Sequence, residues 1–177
     1  MAYVVAALVV TNVLTVLNLL LLFGVIRRLR EQASRPPGAA PRPSSLPLGT
    51  QIEPFATADT DGRPVRRDEL PDGVVVGFFS PGCQPCEELL PEFVAYAADL
   101  PGGRDGVLAV VAGAPDDTAE EVARLSQVAR VVVEDPANGV VVRAFRVTGY
   151  PTLFQLDGDG RVLAGDATLD RLAVPTA

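Results

Sequence analysis

The sequence predicts an α/β domain, with a mixed central sheet flanked by helices, preceded by one transmembrane helix. Two observations carry this prediction. Short β-branched, apolar runs alternate with helical segments after residue 47, and residues 2–26 contain no charged side chain. Strands that alternate with helices build a sheet that is covered on both faces. An uncharged apolar run of this length matches the hydrocarbon core of a bilayer.

Residues 1–30 are predicted to form an uncleaved membrane anchor with a basic flank. Apolar side chains occupy every helical face over residues 2–26, and the run exits directly into Arg27-Arg28-Leu29-Arg30. A cleaved signal peptide would have a basic start, a shorter apolar region and small residues at its exit. A buried core helix of this length would have a polar face. The lipid bilayer is therefore an expected partner of residues 2–26.

Residues 31–47 are predicted to be an extended linker, and residues 48–177 the folded domain. The stretch from Ser34 to Pro47 is dense in Pro, Ser and Ala, a composition that does not bury a core. At about 3.1 Å per residue, the linker would hold the domain up to roughly 40 Å from the bilayer.

The charged residues exclude several kinds of function. All 15 basic residues are arginine, and the chain has no histidine. Cys-His and Ser-His nucleophile pairs and histidine metal ligands are therefore excluded. From Leu46 onward, ten Arg stand against 21 Asp and Glu, a net charge of −11. Nucleic acid is not expected as a partner of so acidic a domain.

The elements of the domain follow from local patterns. Asp61-Gly62 predicts a hairpin turn within Phe55 to Arg67, because the pair supplies the positive φ that a tight turn needs. Asp116-Asp117-Thr118 is expected to cap a helix that continues through Leu125. The order is βαβαβ followed by αββ. The predicted segments are a strand at Val74 to Phe79, a helix at Glu87 to Leu100, strands at Val107 to Ala112 and Val131 to Val133, a short helix within Asn138 to Arg146, and a final hairpin formed by Thr152 to Leu156 and Arg161 to Ala164.

The motif Cys83-Gln84-Pro85-Cys86 contains both cysteines of the chain and lies between a predicted buried strand and a helix. This C-x-x-C spacing is typical of thioredoxin-like redox sites. It places Cys83 at the helix N-terminus, where free N–H groups and the helix dipole stabilise a thiolate. Cys83 is then the nucleophile and Cys86, one turn further on, the resolving thiol. Pro85 stiffens the first turn without breaking it, and Pro91 is expected to bend the helix.

Two other interpretations of the motif carry less weight. A structural zinc site needs about four ligands, and the chain has neither a third Cys nor a His, so zinc would require a second subunit or carboxylates. Two buried structural cysteines are disfavoured by the turn-forming residues around them, Ser80-Pro81-Gly82 and Gln84-Pro85.

From about Leu48 to Leu172 the chain resembles the thioredoxin-like disulfide reductases of the TlpA family, many of which are membrane-anchored. The resemblance implies a thioredoxin-like fold, thiol–disulfide oxidoreductase activity on proteins, and no cofactor beyond a redox-active disulfide. The matching residues are Pro54-Phe55, Asp61-Gly62, Phe78-Phe79, Cys83-Gln84-Pro85-Cys86, Pro91, Asp135, Phe145 to Thr152 and Asp157 to Val162.

The resemblance also implies roles for Tyr150 and Pro151. In the family, the proline matching Pro151 is cis and lies against the active-site disulfide, which exposes the Tyr150 backbone for pairing with a substrate main chain. From the sequence alone, an ordinary trans bond is equally consistent. The position of Pro151, just before the strand that opens the final hairpin, favours cis.

Three positions depart from the family pattern. A tryptophan usually precedes the first cysteine, and Gly82 stands there. The buried acid of thioredoxin falls at Gly77, and the glutamate often found six residues after the first cysteine falls at Leu89. A proton donor or acceptor for Cys86 is therefore missing, since the pair Glu87-Glu88 is expected to face solvent. Buried charges tune the rate and the redox potential of such sites. The sequence therefore predicts neither quantity.

Two arguments place the folded domain on opposite sides of the membrane. Arginines follow the anchor at positions 27, 28, 30 and 35, so the positive-inside rule places the domain in the cytoplasm. The resemblance places it outside, where a tether is useful because electrons come through the membrane. We expect a single-pass protein of the cell membrane with an extracytoplasmic domain and a membrane-bound or soluble electron donor.

Reduction, or isomerisation, of protein disulfides is the leading functional prediction. A peroxiredoxin-like peroxidase is an alternative, because Ser80-Pro81-Gly82-Cys83 fits a hydroxyl-x-x-Cys pattern, although Val76 stands where that family's proline is expected. A tethered chaperone or binding module that has lost efficient exchange is a second alternative, supported by Gly77 and Leu89.

Overall fold

The computed structural model describes residues 46–172, together with positions 3, 12 and 15. Apart from positions 3, 12 and 15, the predicted anchor lies outside these residues, as does nearly all of the predicted linker. Within the described part, no helix combines the length and the apolar character needed to cross a membrane.

The domain begins with a two-stranded antiparallel hairpin formed by β1 (Ala56–Ala58) and β2 (Pro64–Arg66). Its turn contains Gly62 at a φ of 77°, a conformation that costs glycine little. The predicted hairpin around Asp61-Gly62 is confirmed. A 3-10 turn, Arg67–Glu69, follows it.

A mixed five-stranded sheet forms the centre of the domain. β3 pairs in parallel with β4, and β4 with β5, whereas β6 pairs antiparallel with β3 and β7 antiparallel with β6. The spatial order is therefore β5-β4-β3-β6-β7, which confirms the predicted mixed sheet. The strands are β3 (Val75–Phe79), β4 (Val107–Ala112), β5 (Arg130–Glu134), β6 (Thr152–Leu156) and β7 (Val162–Asp166).

Helices cover both faces of this sheet, as predicted. One buried apolar cluster joins the helix that follows β3 to Phe79 and Leu125, and a separate cluster on the other face contains Phe78, Phe145 and Phe154. The helices are α1 (Gln84–Ala98), α2 (Ala119–Leu125) and α3 (Val140–Ala144), and short 3-10 turns lie at Gly103–Gly106, Pro115–Asp117 and Leu169–Arg171. The thioredoxin-like α/β fold is thus confirmed.

The predicted cap of α2 is confirmed in position, since Thr118 is the N-cap residue, but its side chain makes no capping hydrogen bond. Pro115–Asp117 forms a 3-10 turn, and within the described residues no side chain caps the helix that follows. The Thr118 hydroxyl instead donates to the Pro115 carbonyl at 3.1 Å. Hydroxyl side chains often bond to the backbone of a preceding turn in this way, which removes them from the capping role.

Candidate active site

The loop after β3 delivers Cys83 to the start of α1. Gly82 has a φ of 66°, and an added Cβ there would meet no atom within 4 Å. Backbone conformation rather than crowding therefore explains glycine where the family has tryptophan, since a side chain at positive φ is strained. Cys83 is the N-cap residue, and its carbonyl accepts the N–H groups of Cys86 at 2.9 Å and Glu87 at 3.1 Å. α1 thus begins at Gln84 rather than at the predicted Glu87.

Cys83 and Cys86 are joined by a disulfide, and their Cα atoms lie 5.2 Å apart. This separation is within the ordinary range for the bond. Cys83 is partly exposed, whereas Cys86 is only 4% exposed and packs into the apolar cluster beneath α1. A sulfur of another molecule can therefore approach Cys83 from solvent, while Cys86 lies behind it.

Tyr150 and Pro151 lie beside this disulfide. The peptide bond between them is cis, which confirms that prediction. The Tyr150 carbonyl oxygen lies 3.6 Å from the Cys83 Sγ. The two segments meet because β6 pairs with β3, with Thr152 opposite Phe78. The carboxyl end of one strand and the amino end of its neighbour thus reach the same edge of the sheet.

The Tyr150 side chain faces an acidic neighbourhood. Its burial, followed by the negative charges of Glu134 and then Asp135, raises the pKa of Tyr150 above its usual value of 10. The Thr152 hydroxyl donates to the Gly149 carbonyl at 2.7 Å and so closes the loop that precedes β6. The loop is held by its own hydrogen bond as well as by the sheet.

The structure also accounts for the other two departures from the family pattern, at Gly77 and Leu89. A Cβ at Gly77 would lie 2.8 Å from Phe79 Cε2 and 2.9 Å from Phe93 Cζ, so these rings occupy the space that an acidic side chain would need. The two rings pack edge to face with centroids 5.1 Å apart. Leu89 is 9% exposed and packs into the same cluster. Both positions are apolar here because the chain uses them for the core.

Pro85 lies in the first turn of α1, as predicted, and Pro91 lies inside this helix, which continues to Ala98. Glu87 and Glu88 are both exposed, as expected. The Glu88 carboxylate accepts a hydrogen bond from the Gln84 side chain at 3.0 Å. The surface of this helix beside the motif is therefore polar and open to solvent.

A cavity of about 280 Å³ lies behind the disulfide. Its lining includes Ser80, Cys86, Glu87, Glu120, Glu121 and Arg124. Sequence reasoning missed Glu121, which lies on α2, far along the chain from the motif. A signal was present in the sequence: Glu121 is one helical turn before Leu125, which is fully buried, so the two share the inward face of the helix.

Fold and site together define a thiol–disulfide oxidoreductase with a thioredoxin-like fold. The chain belongs to the AhpC/TSA family, whose sequence profile matches residues 48–164. It is 25% identical over 136 residues to the thiol-disulfide oxidoreductase ResA of Bacillus thuringiensis subsp. konkukian, an alignment that covers 72% of this chain and 75% of that protein. The resemblance to TlpA-like oxidoreductases is thereby confirmed.

Solved structures share the fold at lower identity. A thiol:disulfide interchange protein of the thioredoxin family from Chlorobium tepidum is 22% identical with a TM-score of 0.55, over 77% of this chain and 93% of that one. A thio-disulfide isomerase from Thermus thermophilus is 21% identical with a TM-score of 0.53, over 70% and 87% of the two chains.

Proposed function

We propose that this enzyme reduces disulfides in proteins while tethered to a membrane, with Cys83 as the nucleophile and Cys86 as the resolving thiol. The observation that carries the proposal is the unequal exposure of the two sulfurs: Cys83 is partly exposed at the helix N-terminus, and Cys86 is 4% exposed behind it. Only the first thiolate of the cycle needs to reach another molecule.

The reaction transfers two electrons in two exchanges. The Cys83 thiolate attacks one sulfur of a substrate disulfide, forming a mixed disulfide and releasing the other sulfur as a thiolate that takes up a proton. Cys86 then loses its proton and attacks the Cys83 sulfur, so that the mixed disulfide breaks and the second substrate thiolate leaves. The substrate is reduced, and Cys83 and Cys86 end as the disulfide. A membrane-bound or soluble dithiol donor completes the cycle by reducing this disulfide.

Tyr150 and Pro151 are assigned to substrate binding. Support comes from the position of the Tyr150 carbonyl, 3.6 Å from the sulfur that forms the mixed disulfide. A substrate main chain that lies along this segment would bring its own cysteine sulfur to Cys83. Pro85 and Pro91 shape α1, and the disulfide itself takes the place of a cofactor.

The domain plan of the proposal is an anchor at residues 1–30, a spacer at 31–47 and a catalytic domain at 48–177. We place the catalytic domain outside the cytoplasm, in a single-pass protein of the cell membrane. The uncharged run at 2–26 supports the anchor, and the resemblance to tethered reductases supports the orientation. The arginines that follow the anchor are the opposing argument.

A trapping experiment tests the reaction. In the full-length chain, Cys86→Ser leaves Cys83 able to form mixed disulfides but unable to resolve them, so covalent adducts with protein partners should accumulate in cells. Cys83→Ser is the matched control and should give none. If Cys86→Ser forms no adducts either, the chain does not exchange disulfides with proteins, and the binding-module alternative gains support.

The same Cys86→Ser variant tests the orientation, because Cys83 is then its only thiol. A thiol reagent that does not cross membranes should label Cys83 on intact cells. Labelling that begins only after lysis would place the domain in the cytoplasm.

The peroxidase alternative depends on a hydroxyl next to Cys83. The Ser80 hydroxyl instead donates to the Ala112 carbonyl at 2.9 Å, which directs it towards β4. We therefore expect the purified, reduced protein to consume peroxide much more slowly than it reduces a model disulfide.

A further inference from the structure

Glu121 lines the cavity behind the disulfide, and one of its carboxylate oxygens is buried and unpaired. Its Oε2 has less than 1 Å² of exposed surface, and within residues 46–172 it has no hydrogen-bond partner. Buried polar atoms are nearly always paired, so an unpaired one calls for a functional or structural explanation. Cys86 lines the same cavity.

The proposed second exchange needs a proton acceptor. Cys86 is buried and must become a thiolate before it attacks, yet the chain has no histidine or lysine to take its proton. A carboxylate would be expected to help from positions 77 and 89. Leu89 lies in the apolar cluster beneath α1, and the Phe79 and Phe93 rings fill the space at Gly77. The remaining carboxylates that line the cavity are therefore the candidates for the acceptor.

Charged groups reach this cavity from two elements. Glu87 of α1 is exposed. On α2, the Glu120 side chain is 85% exposed and lies 4.0 Å from Arg124, a surface ion pair. Of the carboxylates that line the cavity, Glu121 is the one with a buried, unpaired oxygen.

We propose that Glu121 takes the proton of Cys86 across this cavity when the mixed disulfide is resolved, and returns it when the disulfide is reduced again. In the forward step the Cys86 S–H bond breaks, its proton goes to the Glu121 carboxylate, and the sulfur forms a bond to Cys83 as the substrate thiolate departs. The proton then leaves Glu121 for solvent through the cavity mouth. This inference rests on the proposed function, since it concerns its second step.

The test separates the two steps. The reduced full-length protein is mixed with an aromatic disulfide that releases one coloured thiolate when Cys83 attacks and a second when Cys86 resolves. Glu121→Gln should leave the first phase unchanged and slow the second about a hundredfold at neutral pH, the lower end of the effect of a positioned base. The difference in second-phase rate between Glu121→Gln and the wild type should shrink as pH rises, because hydroxide then removes the Cys86 proton.

Three variants act as controls. Glu120→Gln and Glu87→Gln remove one carboxylate each from the mouth of the same cavity and should leave both phases within about twofold of the wild type, since their side chains are solvated. Glu121→Asp keeps a carboxylate and should recover part of the second phase. It also provides the measurement if Glu121→Gln fails to fold.

The outcomes are distinct. A second phase of wild-type rate in Glu121→Gln, or an equal slowing in Glu120→Gln, overturns the role of Glu121. Loss of the first phase in the wild-type protein would instead overturn the proposed nucleophile, independently of Glu121.

Discussion

Arg130 Nε lies 2.9 Å from Asp59 Oδ2, an ion pair that fastens the leading hairpin to β5 at the edge of the sheet. The Asp59 side chain is 1% exposed and also accepts the backbone N–H groups of Asp61 and Arg63. Thr60 N–H donates to the Val131 carbonyl at 2.8 Å, so the hairpin covers part of the strand edge. Covered edges protect a sheet from pairing with other chains.

Replacement of Asp59 should be costly. We expect Asp59→Asn to lower the free energy of unfolding at pH 7 by about 1.5–3 kcal/mol, because the buried carboxylate loses its charge and with it the charge-assisted hydrogen bond from Arg130. Denaturant titration measures this loss. Asp61→Asn is the matched control: Asp61 pairs with Arg104 in an exposed position, so about 0–1 kcal/mol is expected.

The loss of stability in Asp59→Asn should depend on pH. Burial disfavours the charged Asp59 carboxylate, but hydrogen bonds from the Arg63 backbone and from Arg130 outweigh it and hold the pKa of Asp59 below its ordinary 3.8. Its contribution is therefore complete above pH 3.8 and is lost as the pH falls through the lower folded value. The difference from the wild type should shrink in that acid range, and a constant difference down to the acid limit would contradict this account.

Gly77→Ala should destabilise the protein, although alanine generally suits a strand better than glycine. The added Cβ would lie within 3 Å of the Phe79 and Phe93 rings, and such overpacking costs about 1–3 kcal/mol. At Gly149 an added Cβ meets no atom within 4 Å, so Gly149→Ala should change stability by less than about 0.5 kcal/mol. Thermal unfolding of both variants checks the contrast, and Phe93→Leu should restore part of the loss in Gly77→Ala.

Tyr96→Phe should stabilise the protein by about 1 kcal/mol. Within the described residues the Tyr96 hydroxyl is buried without a hydrogen-bond partner, and burial raises the pKa of Tyr96 above its usual value of 10. Removing the hydroxyl removes its desolvation cost. The control is Tyr3→Phe, since Tyr3 lies outside the folded domain at residues 48–177 and no change in its unfolding is expected. Equal unfolding midpoints for all three proteins would show that the hydroxyl is hydrated in solution.

Glu134→Gln should weaken α3 and alter Tyr150 at the same time. The Glu134 carboxylate is buried and accepts the N–H groups of Val141 and Val142 at 3.0 and 3.1 Å, so it caps the helix. A glutamine keeps one oxygen that can accept these N–H groups, but it loses the negative charge and turns an N–H towards Val141, so we expect a loss of about 1–3 kcal/mol. Because its charge raises the pKa of Tyr150, the pKa of that phenol should move back towards 10 in the variant.

Ultraviolet titration of the phenol, in a Tyr96→Phe background, measures this second effect. Asp135→Asn is the control, because Asp135 raises the pKa of Tyr150 less than Glu134 does. A larger shift in Asp135→Asn than in Glu134→Gln would contradict the assignment.

Local patterns were sufficient for most of the fold. The predicted strands at Val107–Ala112 and Thr152–Leu156 have the bounds that the structure shows, because continuous apolar runs mark strands buried on both faces. The motif spacing likewise placed Cys83 at the start of a helix. These features depend on neighbours in sequence.

Features that depend on contacts between distant segments were not predictable in the same way. The Phe79 and Phe93 rings fill the space at Gly77, and Glu121 reaches the cavity of Cys86 from another helix. The Thr118 hydroxyl bonds back to Pro115 because the chain folds into a 3-10 turn there, which the local pattern did not reveal. Each of these features depends on packing or turn geometry, which local sequence patterns do not determine.

The pairing of Phe78 with Thr152 across β3 and β6 has a consequence for how this enzyme can change. The reactive sulfurs are encoded within four consecutive residues, whereas the carbonyl beside them arrives from a strand that follows much later in the chain. If the proposed function is right, the residues that set the reactivity of the sulfurs and the residues that select the protein substrate can therefore mutate independently. Substitutions in the loop 147–150 can retune which proteins are accepted while the sulfur chemistry of the motif is inherited intact.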